Sequence, residues 1–226
     1  MDKHKFLQLY WKNYISIEKE FVQTLNYVAL DEENYNVFSS AYIKILLQIG
    51  SEIDIVTKSF CIFHDKSLKL KNINDYRCEI MKRETDFGNT KVIVLQGNDI
   101  CPIKPWEVWN DNNCIGKDIN PNWWKVYNKV KHNRTDSGTI EDVDKDYYKF
   151  ANLKYTLFAL AGLYQLLIYY YYDLAEEERI KVPIPGSHLL TLSGNKWDDI
   201  IFYQDIAFYI DFSSGELHSE SGEFIY

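Results

Sequence analysis

The segment from Phe38 to Phe63 constrains the fold most strongly, because its apolar residues keep helical spacing for about seven turns. These residues recur at steps of three or four and share one stripe: Phe38, Tyr42, Ile45, Ile49, Ile53, Val56, Phe60 and Phe63. Gly50 lies in the middle of this helix, where glycine costs about 1 kcal/mol relative to alanine. We therefore expect either the close approach of another helix at Gly50 or simple tolerance of the cost.

Three more segments show the pattern of helices. The first runs from about Phe6 to Ala29 and carries its apolar residues on one stripe. The next follows Pro121 and runs to about Asn133, with Asn120 or Asn122 as the expected N-cap. The last begins near Asp142 and continues past Leu167, and its broad apolar face predicts a central position in the core.

The apolar stretch at 157–172 is the one segment that resembles a membrane span. It reads LFALAGLYQLLIYYYY, which includes a glutamine and ends in four tyrosines. A span needs about 20 predominantly apolar residues, so this stretch is too short. We expect a buried core helix here and no association with a membrane.

Two regions lack helical periodicity. Residues 64–120 are expected to form an irregular insertion that contains a short strand at Lys91–Leu95. The tail at 181–226 is β-rich, with expected strands at Ile200–Tyr203 and Ile206–Ile210 and a turn at 212–215. The sequence therefore predicts a mainly α fold. We expect an antiparallel bundle of four to five helices over 1–180, with a small C-terminal β-hairpin packed on it as an appendage.

Composition limits the classes of function. The net charge of −8 argues against a broad nucleic-acid-binding surface, although a local basic patch at Lys129, Lys131 and Arg134 is compatible with it. The four cysteines form no C-x-x-C pair, so we expect reduced thiols and no metal site. The first residues do not have the pattern of a signal peptide, and a cytoplasmic location is expected.

The segment from Trp123 to Arg134 is the most suggestive chemically. On a helix, Trp124, Asn128 and His132 are four residues apart and share a face, with Lys131 adjoining it. A histidine near an amide and cations is a reasonable acid–base group. The alternative is a helix C-terminal histidine that interacts with the helix dipole at a solvated basic end. From the residues alone we favour that alternative.

A second cluster lies at 51–54 in the long helix. Glu52 and Asp54 are about 200° apart on a helical wheel, so they cannot form a paired-carboxylate site on one face. One of them is expected to form an ion pair with the basic end of the helix at 122–133.

The segments at 49–54 and 123–134 together resemble bacterial HEPN-like proteins. Those are helical bundles related to toxin, abortive-infection and RNA-processing domains, and the resemblance covers about 10–63 and 120–172. Active HEPN ribonucleases use an arginine followed by a polar residue, with a histidine four to six residues later. Here Asn128 matches the polar residue, His132 matches the histidine, and Tyr127 takes the place of the arginine. Tyrosine carries no charge at neutral pH, so it cannot replace a guanidinium at a phosphate.

The resemblance implies a role in RNA-linked stress or phage defence. It also implies a homodimer with composite sites, and an antitoxin or defence-system partner protein. As an endoribonuclease the chain would need no metal or cofactor, because the RNA 2′-hydroxyl attacks the adjacent phosphate. His132 would then be the acid–base residue and Asn128 its positioner, and the phosphate-binding cations would be Lys125, Lys131 and Arg134. Two alternatives remain: a non-catalytic module that binds a partner protein or small ligand, and a structural bundle in which Asn128 and His132 satisfy a buried polar network.

Overall fold

The computed structural model describes residues 1–96, 101–110, 119–176 and 180–198, together with the backbone of two strands at 208–211 and 216–219. The protein is mainly helical, as predicted, and its described residues form five helices. Helix α1 consists of the consecutive segments Lys3–Phe6, Leu7–Trp11 (a π-helical turn) and Lys12–Thr24. The others are α2 (Ser40–His64), α3 (Ile73–Arg83), α4 (Asn122–His132) and α5 (Leu153–Leu174).

The strands of the described residues form three antiparallel pairs. Strand β1 (Lys91–Val94) pairs with β4 (Leu190–Ser193), β2 (Ser137–Ile140) with β3 (Val143–Asp146), and β5 (Phe208–Asp211) with β6 (Glu216–Ser219). The strand predicted at 91–95 is therefore confirmed. The small C-terminal hairpin is confirmed as well: β5 overlaps the second of the two predicted strands and pairs with β6. The strand predicted at 200–203 lies outside the described residues.

Two predictions about the middle of the chain are wrong. The insertion contains helix α3, whose apolar stripe is too short to predict a helix from its spacing. Its start was visible as a capping box, in which the Asn72 side chain accepts from the Asp75 backbone and Asp75 accepts in return. The last helix begins at Leu153 instead of Asp142, because 137–146 form the β2–β3 hairpin. The Asn152 side chain caps α5 by accepting from the Tyr155 N–H.

Helices α2 and α5 form the centre of the bundle. They lie parallel, because both their starts and their ends meet. Phe38 forms a backbone bridge with Asn152 at the starts, and His64 Nε2 lies 2.9 Å from Asp173 Oδ2 at the ends. The predicted antiparallel arrangement therefore fails for this pair, since residues 65–152 carry the chain back to the start of α2 before α5 begins.

Helix α1 runs antiparallel to both central helices. Its first turn packs against the end of α5, where the rings of Phe6 and Tyr170 lie 5.2 Å apart. Its last turns lie beside the start of α2, where Lys44 Nζ is 2.8 Å from Glu20 Oε2. The helix ends at Thr24, earlier than the predicted Ala29.

Helix α4 packs across α2 and α5 through two glycines. The Tyr127 ring lies directly on Gly50, and a Cβ built there would overlap the ring carbons. Gly162 of α5 similarly faces the Trp123 ring, with 3.1 Å from an ideal Cβ to Cζ2. The close approach expected at Gly50 is therefore confirmed, with a tyrosine as its cause.

A buried carboxylate attaches residues 183–190 to α1. Glu18 is 2% exposed and accepts hydrogen bonds from Tyr14 Oη, Ser187 Oγ and the His188 N–H. Trp11 Nε1 donates to the Pro185 carbonyl at 2.8 Å beside it. The β-rich tail region is therefore fixed to the bundle by polar contacts as well as by the β1–β4 pairing.

Helix α5 is buried over most of its length. Neither it nor any other helix in the described part of the chain has the length and apolar character that crossing a membrane requires.

Candidate functional site

Helix α4 buries one face and exposes its C-terminal end. Its buried residues are Trp123, Trp124, Val126, Tyr127 and Val130. The predicted asparagine cap is wrong, because Pro121 occupies the N-cap position and makes no side-chain cap bond. Asn122 is instead the first helical residue, and its amide donates to Glu141 Oε1 at 2.7 Å.

Asn128 and His132 are not assembled into an acid–base pair within this chain. The Asn128 amide donates to the Trp124 carbonyl of its own helix at 3.1 Å. His132 is exposed and makes no hydrogen bond to any described residue. The buried polar network considered for these two residues therefore does not describe His132.

Tyr127 is a packing residue of α4. It is 3% exposed, and its ring lies on Gly50. Its hydroxyl accepts from Lys131 Nζ at 3.2 Å, and the ammonium also lies 5.3 Å from the ring centroid. Arg134 Nε contacts the Val130 carbonyl at 3.5 Å, so both cations contact their own helix.

Glu52 and Asp54 point to different helices, as their wheel positions predicted. Glu52 accepts from Asn13 of α1, and burial raises the pKa of its carboxyl group. Asp54 accepts from Tyr76 of α3. Burial and this neighbouring carboxylate raise the pKa of Tyr76 to about 12. Neither carboxylate forms an ion pair with α4 among the described residues, so the expected ion pair is wrong.

A polar groove separates α4 from the β2–β3 hairpin, and we call it the α4 groove. Its volume is about 360 Å³, and its lining comprises Asn120, Asn122, Trp124, Lys125, Asn128, Lys129, Thr139, Ile140 and Glu141. Of the residues predicted for the site, the groove thus contains Lys125 and Asn128. It does not contain His132, Lys131 or Arg134. The hairpin wall was not predicted, because the last helix was expected to begin near Asp142.

Glu141, the one carboxylate among the described residues that line the groove, is fully engaged. Glu141 accepts hydrogen bonds from Asn122 Nδ2 at 2.7 Å, Lys154 Nζ at 2.9 Å and Tyr155 Oη at 2.5 Å. Burial raises the pKa of Glu141, but the hydrogen bonds from Tyr155, Lys154 and Asn122 together outweigh it and hold the pKa below its usual value. The carboxylate is thus ionised and neutralised by its own partners.

Lys125 and Lys129 are the cations of the groove. They are four residues apart on α4 and therefore neighbours on its surface. Neither forms an ion pair with a described residue, and Lys129 Nζ lies 5.1 Å from the Tyr147 ring centroid. With the Asn128 amide and the Thr139 hydroxyl, they present donors suited to an anion such as a phosphate.

In the part of the chain that the structure describes, no three His, Cys, Asp or Glu side chains are grouped so that they could hold a metal ion. Comparisons of the chain with protein-family models, with curated proteins and with solved structures found no match.

Proposed function

We propose that this chain is a degenerate HEPN-like protein of stress or phage defence that binds RNA through the α4 groove. The observation that carries the proposal is the convergence of Lys125, Asn128 and Lys129 in one groove, where the one carboxylate among the described lining residues is already neutralised. The cytoplasm is the expected location, and an antitoxin or defence-system protein is the expected partner.

RNA suits this groove because phosphate contacts dominate such interfaces and need only a few correctly placed cations. The overall charge of −8 repels a polyanion elsewhere on the surface, so binding is confined to a local patch. Trp124 lines the same groove and is 7% exposed, so its edge offers little area for base stacking. The expected binding is therefore dominated by phosphate contacts and weakly dependent on sequence.

Cleavage is not expected from a single chain. The position of the motif arginine holds Tyr127, which is buried in the core. The histidine has no orienting partner among the described residues, and Asn128 donates to its own helix. We therefore place RNA binding ahead of RNA cleavage.

A second candidate is an endoribonuclease that is active only as a homodimer. It is favoured by the exposure of His132, Lys131 and Arg134 at the free end of α4, where a second copy could supply the missing cation. Composite sites of this kind are what the HEPN resemblance implies.

The binding proposal is tested by fluorescence anisotropy with a labelled single-stranded RNA at several salt concentrations. Lys125→Ala/Lys129→Ala removes two phosphate contacts, so the slope of log K against log salt should fall in magnitude by about 1.4. Lys12→Ala/Lys19→Ala removes the same charge from the exposed face of α1 and serves as the matched control. Equal weakening by both pairs, or no salt-dependent binding by the parent protein, would overturn the proposal.

An RNase assay separates the two candidates. If the homodimeric nuclease is correct, cleavage rises steeply with protein concentration, light scattering shows a dimer, and His132→Ala abolishes cleavage. A monomer that binds RNA without cleaving it supports the binding proposal alone. Cleavage that His132→Ala leaves unchanged removes this site from the reaction.

A further inference from the structure

A second cleft lies at the other end of the bundle, between the C-terminal ends of α2 and α3. We call it the His64 cleft. Its volume is about 250 Å³, and it is lined by Phe60, Cys61, His64, Asp65, Leu68, Glu79, Ile80, Lys82 and Arg83. It is remote from the α4 groove: Lys154 contacts the groove, whereas Asp173 contacts His64, roughly 28 Å further along α5.

The imidazole of His64 is held in a fixed orientation. Its ring packs edge-on against Phe60 and Phe63, with centroid distances of 5.1 Å and 4.9 Å. Nε2 lies 2.9 Å from Asp173 Oδ2, and the side chain is 12% exposed. Nε2 and this carboxylate do not form a hydrogen bond of good geometry, so the packing of the two phenylalanine rings is what restricts the imidazole.

Arg83 supplies a cation at the mouth of this cleft. Its side chain is exposed and forms no ion pair with any residue that the structure describes. The nearby carboxylates are already engaged: Asp65 accepts from Ser67 at 2.8 Å and 2.6 Å, Glu79 pairs with Lys82 at 2.6 Å, and Glu84 pairs with Lys196 at 3.1 Å. An incoming anion therefore meets the guanidinium of Arg83 close to the imidazole of His64, and the charges of Asp65 and Asp173 remain nearby.

Two backbone carbonyls at the ends of α2 and α3 already have hydrogen-bond donors of their own. The Cys61 carbonyl accepts from the Asp65 N–H at 3.1 Å, and the Ile80 carbonyl accepts from the Glu84 N–H at 2.8 Å. Because both carbonyls are capped, they do not compete for the donors of Arg83 and His64.

We propose that the His64 cleft binds the phosphate group of a small ligand, through Arg83 and the protonated imidazole of His64. A phosphate dianion can accept from both donors at once, and Arg–phosphate contacts are among the stronger hydrogen bonds in proteins. The volume admits a free phosphate or a small phosphate ester and excludes a folded polynucleotide. The site is independent of the proposed RNA-binding function.

Ligand binding is coupled to proton uptake at His64. In the empty cleft, burial and the neighbouring Arg83 lower the pKa of His64, while Glu84 acts in the opposite direction. Burial and, to a lesser extent, Glu176 raise the pKa of Asp173. Lys196 and Arg83 act in the opposite direction, but the pKa is raised overall. The bound dianion stabilises the imidazolium, so the pKa of His64 should rise on binding.

The test is an NMR titration of the His64 ring in the full chain at constant ionic strength, with inorganic phosphate, glycerol phosphate or sodium chloride added. We expect phosphate or its ester to raise the pKa of His64 by about one unit, and chloride to leave it unchanged. Stronger action of the ester identifies an esterified ligand, and stronger action of inorganic phosphate identifies the free ion.

Arg83→Gln should abolish this rise, whereas Lys58→Gln on the exposed side of α2 should preserve it. Because Arg83 is exposed, its substitution leaves the core intact. An equal rise in Arg83→Gln, or no rise with either phosphate compound, overturns the proposal. RNA binding by Arg83→Gln should equal that of the parent, so failure here is distinguishable from failure of the α4 groove.

Discussion

The ring of Tyr127 lies against the backbone of Gly50, in the space that any larger residue would need for its Cβ. This contact explains why a glycine stands in the middle of α2. It also makes a prediction. Gly50→Ala gains about 1 kcal/mol of helix propensity but forces the ring aside, and overpacking of this kind costs typically about 1–3 kcal/mol.

We therefore expect Gly50→Ala to lower the free energy of unfolding by up to about 2 kcal/mol, measured by urea denaturation. Ser51→Ala, on the exposed neighbouring position of the same helix, should change it by less than about 0.5 kcal/mol. Stabilisation by Gly50→Ala would show that the ring can move without cost.

A glycine in the turn of the β2–β3 hairpin should stabilise the protein. Glu141 and Asp142 both adopt positive φ, at 49° and 59°, where side chains are strained and glycine is not. Asp142→Gly should raise the free energy of unfolding by about 1 kcal/mol, as judged by thermal and urea unfolding. Asp144→Gly in strand β3 is the matched control and should lower it, because glycine weakens a strand.

The stability of the protein should be sensitive to the loss of the buried charge of Glu18. In Glu18→Gln an amide N–H₂ replaces one acceptor oxygen and must face either the two hydroxyls or the His188 N–H. We expect a loss of about 2 kcal/mol, with faster hydrogen exchange at the Leu190 amide, which donates to Ser187 Oγ at 2.8 Å. Glu20→Gln on the same helix removes only an exposed ion pair and should cost less than about 1 kcal/mol.

Stability should fall as the pH drops below about 6.5, in part because of His64. Its lowered pKa in the folded protein means that the unfolded chain takes up the proton first, so acidification favours unfolding until the folded-state pKa is passed. Asp173 acts oppositely at lower pH. Because the pKa of Asp173 is raised in the folded protein, its contribution to stability is fully present below the unfolded-state pKa of 3.8. This contribution is lost as the pH rises through the folded-state pKa.

Urea unfolding at pH 7.5, 6.5 and 5.5 measures the first of these effects. His64→Gln should flatten the dependence, by at most about 1.4 kcal/mol per pH unit for one proton. His132→Gln removes a histidine without touching the buried pair and is the matched control. An unchanged slope in His64→Gln would show that other groups account for the acid sensitivity.

The parts of the fold that sequence predicts well are those with a long apolar stripe. Helix α2 and the body of α5 follow directly from residues at steps of three and four. Helix α3 was missed because its short stripe is interrupted by Arg77, which is buried in the structure although its residue type predicts a surface position. The parallel relation of α2 and α5 depends on long-range contacts such as His64 with Asp173, which no local pattern encodes.

The candidate site was predictable only along one helix. Spacing on α4 places Lys125, Asn128 and Lys129 together, and the groove contains all three. The opposite wall, with Thr139 and Glu141, comes from a turn whose residues lack the Asn-Gly signature that usually marks it. The partner of His64 lies on a helix more than a hundred positions later in the chain, so the second cleft had no sequence signal at all.

The pairing of β1 with β4 has a consequence for how the molecule is made. Val92 faces Leu192, so the edge of β1 has no β4 partner until the ribosome has released the chain as far as residue 193. Until then Glu18 also lacks Ser187, and a charged group faces an unfinished core. We expect a nascent chain stopped before residue 183 to be recognised by chaperones and proteases as incomplete.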